Sequence, residues 1–328
     1  MIVFWSLTLC VVLLFYVLLD GFDLGVGILF GFNAAEDRRR HMLAAISPVW
    51  DGNETWLVLA AAILFGAFPS AYSVLLEAFY LPIIVLLIAL ILRGVAFEFR
   101  YKTLRMRWLW DACFAGGSTV AAFVQGMTVG ALVEVIPVEH GRYAGGPLSW
   151  LSPFACLCGV ALCVGYALLG SAWLVAKTDG SLREHAYRQI PPLLWFVVIF
   201  IGAAFCFSVV EHLQVLSRWI ERPYFVVLPV VMAISIGCSL RGVRRRIDSY
   251  PIRAAALLFV AAFSAFGVSF WPYVVPFSLT LDSAAAPPSS LRFMFWGAGL
   301  FVLPLTIIYT GFVYRMFAGK VAEVGGYE

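Results

Sequence analysis

Nine long apolar stretches, at about residues 3–30, 49–68, 72–97, 110–135, 150–176, 191–211, 223–240, 252–280 and 291–316, take up most of this chain, with short loops between them. About 20 mostly apolar residues in a helix cross the roughly 30 Å hydrocarbon layer of a bilayer. The stretches therefore predict an all-α, polytopic integral membrane protein with nine transmembrane helices, forming a single transmembrane domain over residues 1–328. Composition agrees. Charged residues make up 12% and hydrophobic residues 62% of the 328, whereas a soluble domain carries about 25% charged residues. The mean hydropathy is +0.94. Residues 1–19 lack a basic leader and a small-residue cleavage site, and their apolar run is too long for a signal peptide, so they read as a retained first span.

The charges give direction. Arg142, Arg218, Arg222 and Arg292 fall on one side of the alternating loops, and the other 18 of the 22 Lys and Arg residues fall on the opposite side. Basic loops face the cytoplasm, so the N-terminus is expected outside and the C-terminus in the cytoplasm. A net charge of +3 follows from the same bias and points to no nucleic acid.

Four acids interrupt the first two apolar stretches: Asp20 and Asp23 in "LLDGFDLGVG", Asp51 and Glu54 in "SPVWDGNETW". At 1.5 Å per residue, Asp20 is about 25 Å from the outer end of the first span, and Asp51 and Glu54 are about 5–9 Å in from the inner end of the second. All four share about one depth on antiparallel neighbours. Each pair is spaced i, i+3 and so occupies one helix face. Ionisable groups at such positions usually mark ion or proton routes, and coupled carboxylates can pass protons. A structural alternative stands beside this. Ser47 could cap the second helix with Pro48 as its first residue, leaving Asp51 to meet the helix dipole. Asp20 and Asp23 could pair with Arg38, Arg39, Arg40 or Arg100, and Arg100 with Glu98 is a further candidate ion pair. Gly21, Gly25, Gly27 and Gly52 beside the acids suit close helix packing. Glu77 is a lone acid about 8 Å inside the outer face. Gln125 could bridge helices.

Metal chemistry finds little support. Cys10, Cys113, Cys156, Cys158, Cys163, Cys206 and Cys238 lie in apolar stretches without a CxxC or Cys/His pattern, and read as small buried hydrophobes. His41, His140, His185 and His212 all fall in loops or at span ends, while Met127 and Met232 sit inside spans without a histidine. Haem iron in a bundle takes such ligands from within spans, so this chain is expected to bind no metal and to supply no residue to redox chemistry.

The motifs "DGFDLGVG", "SPVWDGNETWL", "LRGVAFEFR", "WPYVVPFSLTL" and "LPLTIIYTGFVYRMF", in this order, resemble subunit II of cytochrome bd quinol oxidases nearly end to end. The chain is short and lacks a longer hydrophilic loop between spans six and seven, which is similar to the cyanide-insensitive branch. Val49 stands where some members have His. The resemblance implies two four-helix bundles plus a ninth helix in a bacterial inner membrane. It implies a heterodimer with a haem-bearing subunit I that holds haems b558, b595 and d, with small extra subunits in some complexes and a structural quinone or phospholipid as a further ligand. It also implies oxidation of quinol, reduction of O₂ to water, and proton uptake from the cytoplasm. Asp51 would match the acid at the proton intake by the subunit interface, Asp20 and Asp23 the aspartates of the family's motif, and Trp56 a tryptophan near an O₂ route; by depth and spacing Glu54 joins the three acids in one expected proton pathway. Two other classes stay open: a proton-coupled secondary transporter, though the repeats and broken helices of such folds are not evident, and a purely structural assembly subunit.

Overall fold

The computed structural model describes residues 1–103, 105–210 and 219–321. Long helices dominate it: α1 (Ile2–Gly31), α3 (Trp50–Ala67), α4 (Pro69–Lys102), α5 (Arg107–Val133), α6 (Pro153–Lys177), α7 (Gly180–Val210), α8 (Val227–Arg245) and α9 (Ser249–Phe270). The last apolar segment is composite, with α11 (Pro288–Met294) passing through a π-helical turn, Phe295–Gly299, into α12 (Val302–Met316). A short amphipathic helix, α2 (Glu36–Ile46), lies between α1 and α3, and α10 (Leu281–Ala284) precedes α11. Among the described residues, eight helical segments are long and apolar enough to cross a membrane. The 18-residue α3 is not one of them, because Asp51, Asn53 and Glu54 crowd its first turns.

Helices α1, α3, α4 and α5 pack together, as do α6, α7, α8 and α9. The seam between the groups is the contact of α6 with α1 and α5. Glycine makes it possible. A Cβ on Gly25 would lie 1.8 Å from the backbone oxygen of Tyr166 across the seam, and within the first group one on Gly27 would lie 2.0 Å from Ser118 Oγ. The glycines of "DGFDLGVG" are thus packing residues, as small residues at helix crossings generally are. Across this seam Gln125 bridges two other helices, donating to Tyr16 (2.8 Å) and accepting from the Tyr166 hydroxyl (2.9 Å).

Ion pairs gather several loops at one end. Arg39 and Arg100 both bind Asp111, and Arg100 and Arg107 bind Glu36, tying α2 to the α4–α5 junction. Burial favours the neutral form of Glu36, but the hydrogen bond and charge of Arg100 outweigh it and hold the carboxyl below its usual range. Arg183 and Lys320 both bind Asp248, and Lys320 also binds Asp179. The chain after α12 is further fixed by Val321 N–H donating to Lys177 O (2.8 Å) and by Lys177 Nζ donating to the carbonyls of Phe317 and Gly319.

Several expectations need correction. The stretch 252–280 is not one helix: α9 ends at Phe270, and Tyr273–Val275 (β3) pairs with Leu279–Thr280 (β4) in a hairpin. Pro272 and Pro276, which withhold backbone donors, explain the break. Residues 180–190, assigned to a loop, form the first turns of α7. Ser47 does not cap α3; it is the C-cap residue of α2, with its backbone N–H donating to Leu43 O, and the residue before α3 is Val49, with no side-chain cap. None of the seven cysteines is fully buried, and Cys10, Cys206 and Cys238 are exposed on apolar helices, where a lipid-facing thiol needs no polar partner. Glu77 is exposed on α4, shortly before the kink at Phe79 that Pro82 imposes. His212 and Arg218 lie outside the described residues.

Candidate functional site

Three of the four predicted acids converge on one arginine. Asp20 and Asp23, one turn apart on α1, are both inaccessible to solvent. Arg93, on α4, is 1% exposed and extends between them. Its Nη1 lies 2.8 Å from Asp20 Oδ1 and 3.0 Å from Glu54 Oε1, and its Nη2 lies 4.0 Å from Asp23 Oδ2. Asn53, the residue before Glu54 on α3, is buried too. Its amide donates to Asp23 Oδ2 (2.7 Å) and to Leu19 O (3.2 Å), and its oxygen accepts from the Tyr314 hydroxyl (3.0 Å). The cluster thus joins α1, α3, α4 and α12.

Three carboxyl groups face one guanidinium here, an excess of acid that buried ion pairs seldom leave. Asp20 Oδ2, Asp23 Oδ1, Arg93 Nε and Arg93 Nη2 have no hydrogen-bond partner among the described residues. Buried polar atoms of this kind are usually satisfied by internal water, so the cluster has the character of a small hydrated site rather than a closed salt bridge.

Asp51 is not in the cluster. It is exposed on α3 and makes no side-chain ion pair among the described residues. Beside it runs a groove of about 330 Å³ between α3 and α12, lined by Gly52, Thr55, Leu305, Thr306, Tyr309 and Thr310. Trp56 is 1% exposed and packs on Phe15 with ring centroids 4.7 Å apart; its indole N–H has no partner among the described residues. The Arg100–Glu98 pair does not form: Arg100 binds Asp111 and Glu36, and Glu98 is exposed. Arg38, Arg39, Arg40 and Arg100 do not reach Asp20 or Asp23 either. Sequence reasoning missed Arg93, Asn53 and Tyr314. Arg93 had been counted with the basic loops, yet a cation in the apolar "LIALILRGVAF" was the visible signal.

Metal-binding side chains are scattered. His41 is on α2 beside Asp37, His140 is in the hairpin between β1 (Val138–Glu139) and β2 (Arg142–Tyr143), and His185 is near the start of α7. Met127 is buried on α5, and among the described residues no group of three or more His, Cys, Asp and Glu side chains could hold a metal ion.

Residues 1–317 match the sequence profile of cytochrome bd terminal oxidase subunit II. The chain belongs to this family. The bd-family subunit II described here is 27% identical to cytochrome bd-I ubiquinol oxidase subunit 2 of Escherichia coli K12, over 97% of this chain and 94% of the relative. It is 28% identical to cytochrome bd ubiquinol oxidase subunit 2 of Bacillus subtilis, over 95% of both. Its fold is similar to a chain of the bd oxidase structure from Geobacillus thermodenitrificans, with a TM-score of 0.73 and 16% identity, over 96% of this chain and 98% of that one. Being a subunit II, the chain is part of an oxidase of the respiratory chain, and its apolar helices make it a multi-pass membrane protein.

Proposed function

We propose that this chain is the haem-free half of a bd-type quinol oxidase of the bacterial inner membrane, and that its acid cluster feeds protons to a haem-bearing subunit I. The observation that carries the reading is the convergence of Asp20, Asp23 and Glu54 on Arg93. Full ionisation would leave a net charge of −2 in a buried site, and two protons, the smallest cations available, would remove it. Glu54 is the member that reaches outward, with 26% of its side chain exposed, and Asp51 stands nearer the end of α3. The proposed order is from Asp51 at the cytoplasmic edge to Glu54, and then to Asp23 and the partner subunit. Asp20, bound at 2.8 Å, anchors the guanidinium.

In this reading α3 completes nine spans, with the N-terminus outside and the C-terminus in the cytoplasm, as the basic loops require. An exposed carboxylate on a membrane helix faces protein or water rather than lipid. The strip of Asp51, Gly52, Thr55, Thr306 and Thr310 therefore supports subunit I docking along α3 and α12. Subunit I supplies the haems, where quinol is oxidised and O₂ is reduced to water. Trp56 and Phe15 offer O₂ an apolar route. A further groove, about 250 Å³ and lined by Gly126, Leu162, Gly165 and Phe259 among others, suits the tail of a structural quinone or phospholipid.

The test is the assembled complex carrying Glu54→Gln. Quinol-driven O₂ consumption well below wild type, with haem content and subunit ratio unchanged, supports the relay. Wild-type turnover removes Glu54 from it. Equal loss of assembly and activity favours a second reading, in which the cluster is a structural lock; the fully buried Asp20–Arg93 pair is the observation in its favour.

A further inference from the structure

At the end that gathers the basic loops, a cavity of about 330 Å³ lies between the last turn of α2 (Ala44, Ala45), the turn into α3 (Pro48, Val49), the end of α6 (Trp173, Lys177) and the chain after α12 (Phe317, Gly319, Lys320, Val321). Tyr314 also lines it. The same Tyr314 hydroxyl donates to Asn53, which donates to Asp23. Two side chains, Tyr314 and behind it Asn53, therefore link the cavity to the buried carboxylates.

The cavity is framed by fixed groups. Trp173 is held by its indole N–H donating to Ala45 O (3.0 Å) and by stacking on Phe22 at 4.0 Å. Tyr314 sets its ring edge-on to both, at 6.1 Å from Trp173 and 6.4 Å from Phe22. Lys177 and Lys320 hold the far wall through Phe317 O, Gly319 O, Asp179 and Asp248. Its walls are mixed, with Lys177, Lys320 and the Tyr314 hydroxyl set among apolar side chains that include Met316, and a space of this size that carries such polar groups holds water.

We propose that this cavity is a second proton inlet, a water-filled vestibule that supplies Asp23 directly and does not pass through Asp51. The proposal rests on the relay reading above, and adds to it a route through this chain alone. Asn53 is a bracket and not a carrier, because its amide nitrogen is committed to Asp23 and Leu19 O. Tyr314 is a positioning residue. Its hydroxyl keeps lone pairs that order vestibule water, and when the ring swings from Asn53 that water is carried to Asp23 Oδ1, an oxygen without a partner among the described residues. A hydrated proton then passes to that oxygen and leaves neutral water behind. Ionisable neighbours of the phenol are Asp20 and Asp23 from α1, Lys177 from α6 and Lys320 from the chain after α12.

The experiment uses the whole oxidase, with Ala44→Cys or, separately, the exposed Gly319→Cys, treated with a small methylating and a bulky water-soluble thiol reagent; treated wild type controls for the seven native cysteines. The expected result is that the bulky adduct slows quinol-driven O₂ consumption by about a third with Asp51 intact and about fivefold or more in the Asp51→Asn background, where this inlet alone remains, while the methyl adduct and the haem spectrum change little. Tyr314→Phe keeps both ring contacts and loses the hydroxyl. Its defect should grow several-fold between about pH 6 and about pH 8.5, as free protons become scarce, whereas a packing role would slow turnover equally at both. Full turnover with the bulky adduct at both positions overturns the vestibule. If Glu54→Gln and Asp23→Asn still abolish turnover in that case, the relay stands and only this inlet falls; if they do not, both fall.

Discussion

Arg93 Nη1 and Asp20 Oδ1 meet at 2.8 Å with both side chains out of reach of solvent. Removing one partner of such a pair leaves an uncompensated buried charge, which costs about 3–5 kcal/mol. Arg93→Ala should therefore lower the thermal stability of the oxidase sharply, and with it the yield of complex in membranes. Arg93→Lys should recover part of this, since an ammonium can stand for Nη1 between Asp20 and Glu54 but leaves Asp23 without the second nitrogen. Near-normal yield of Arg93→Ala would mean the cluster is not held by charge.

Asp51→Asn separates relay from helix capping. Asn caps helices about as well as Asp, and losing a dipole interaction costs only about 0.3–1 kcal/mol. Haem content should stay near normal while O₂ consumption falls several-fold, and Asp51→Glu, which keeps an ionisable carboxyl, should retain more activity than Asn. Unchanged turnover with unchanged proton uptake from the cytoplasm would remove Asp51 from the pathway.

Gly25 and Gly52 should answer differently to alanine. A Cβ on Gly25 meets backbone at 1.8 Å, while on Gly52 the nearest atom is Tyr309 Cε1 at 3.7 Å. Gly25→Ala is expected to part α1 from α6 and abolish assembly, with Gly52→Ala close to wild type in yield of the isolated subunit. A well-assembled Gly25→Ala would show that the seam can open without consequence.

Asp248 gives a pH signature. Burial alone would raise its pKa, but hydrogen bonds from Arg183, Tyr187 and Lys320 bring it down to about 2. A carboxyl with a depressed folded pKa contributes stability above its unfolded value of about 3.9 and loses it as pH falls through the folded value. Asp248→Asn should lower Tm at neutral pH, and its gap to wild type should close between about pH 4 and about pH 2. A gap that persists at the acid end would trace the loss to packing.

The apolar stretches were legible because a bilayer fixes the length of what crosses it, and the acids because a charge in such a stretch has few explanations. What failed was partner assignment. Glu98 and Arg100 are i, i+2, a spacing that places them on different helix faces, so that pair was rejectable from the sequence. Arg93 was hidden because its charge is summed with the basic loop that follows, although it lies inside the 72–97 stretch and on α4. Tyr314 could not have been found by spacing, since it lies 261 residues from Asn53. The Trp271–Thr280 hairpin shows the converse error: its apolar content imitates a span, and only Pro272 and Pro276 mark it otherwise.

The distance along the chain between Asp20 and Arg93 also sets an order of events during synthesis. Arg93 leaves the ribosome 73 residues after the acid it neutralises. Until then α1 carries two carboxylates with no counter-charge near its inner end, and an Asp costs about 2.5–3.5 kcal/mol at the middle of an inserting helix and less toward its edge. The inner end of α1 is thus expected to stay at the water's edge until α4 arrives to cover the acids. With Leu24→Cys in nascent chains, a water-soluble thiol reagent should label those ending before Pro69 and spare those ending beyond Lys102. Equal labelling of both would show that α1 settles alone.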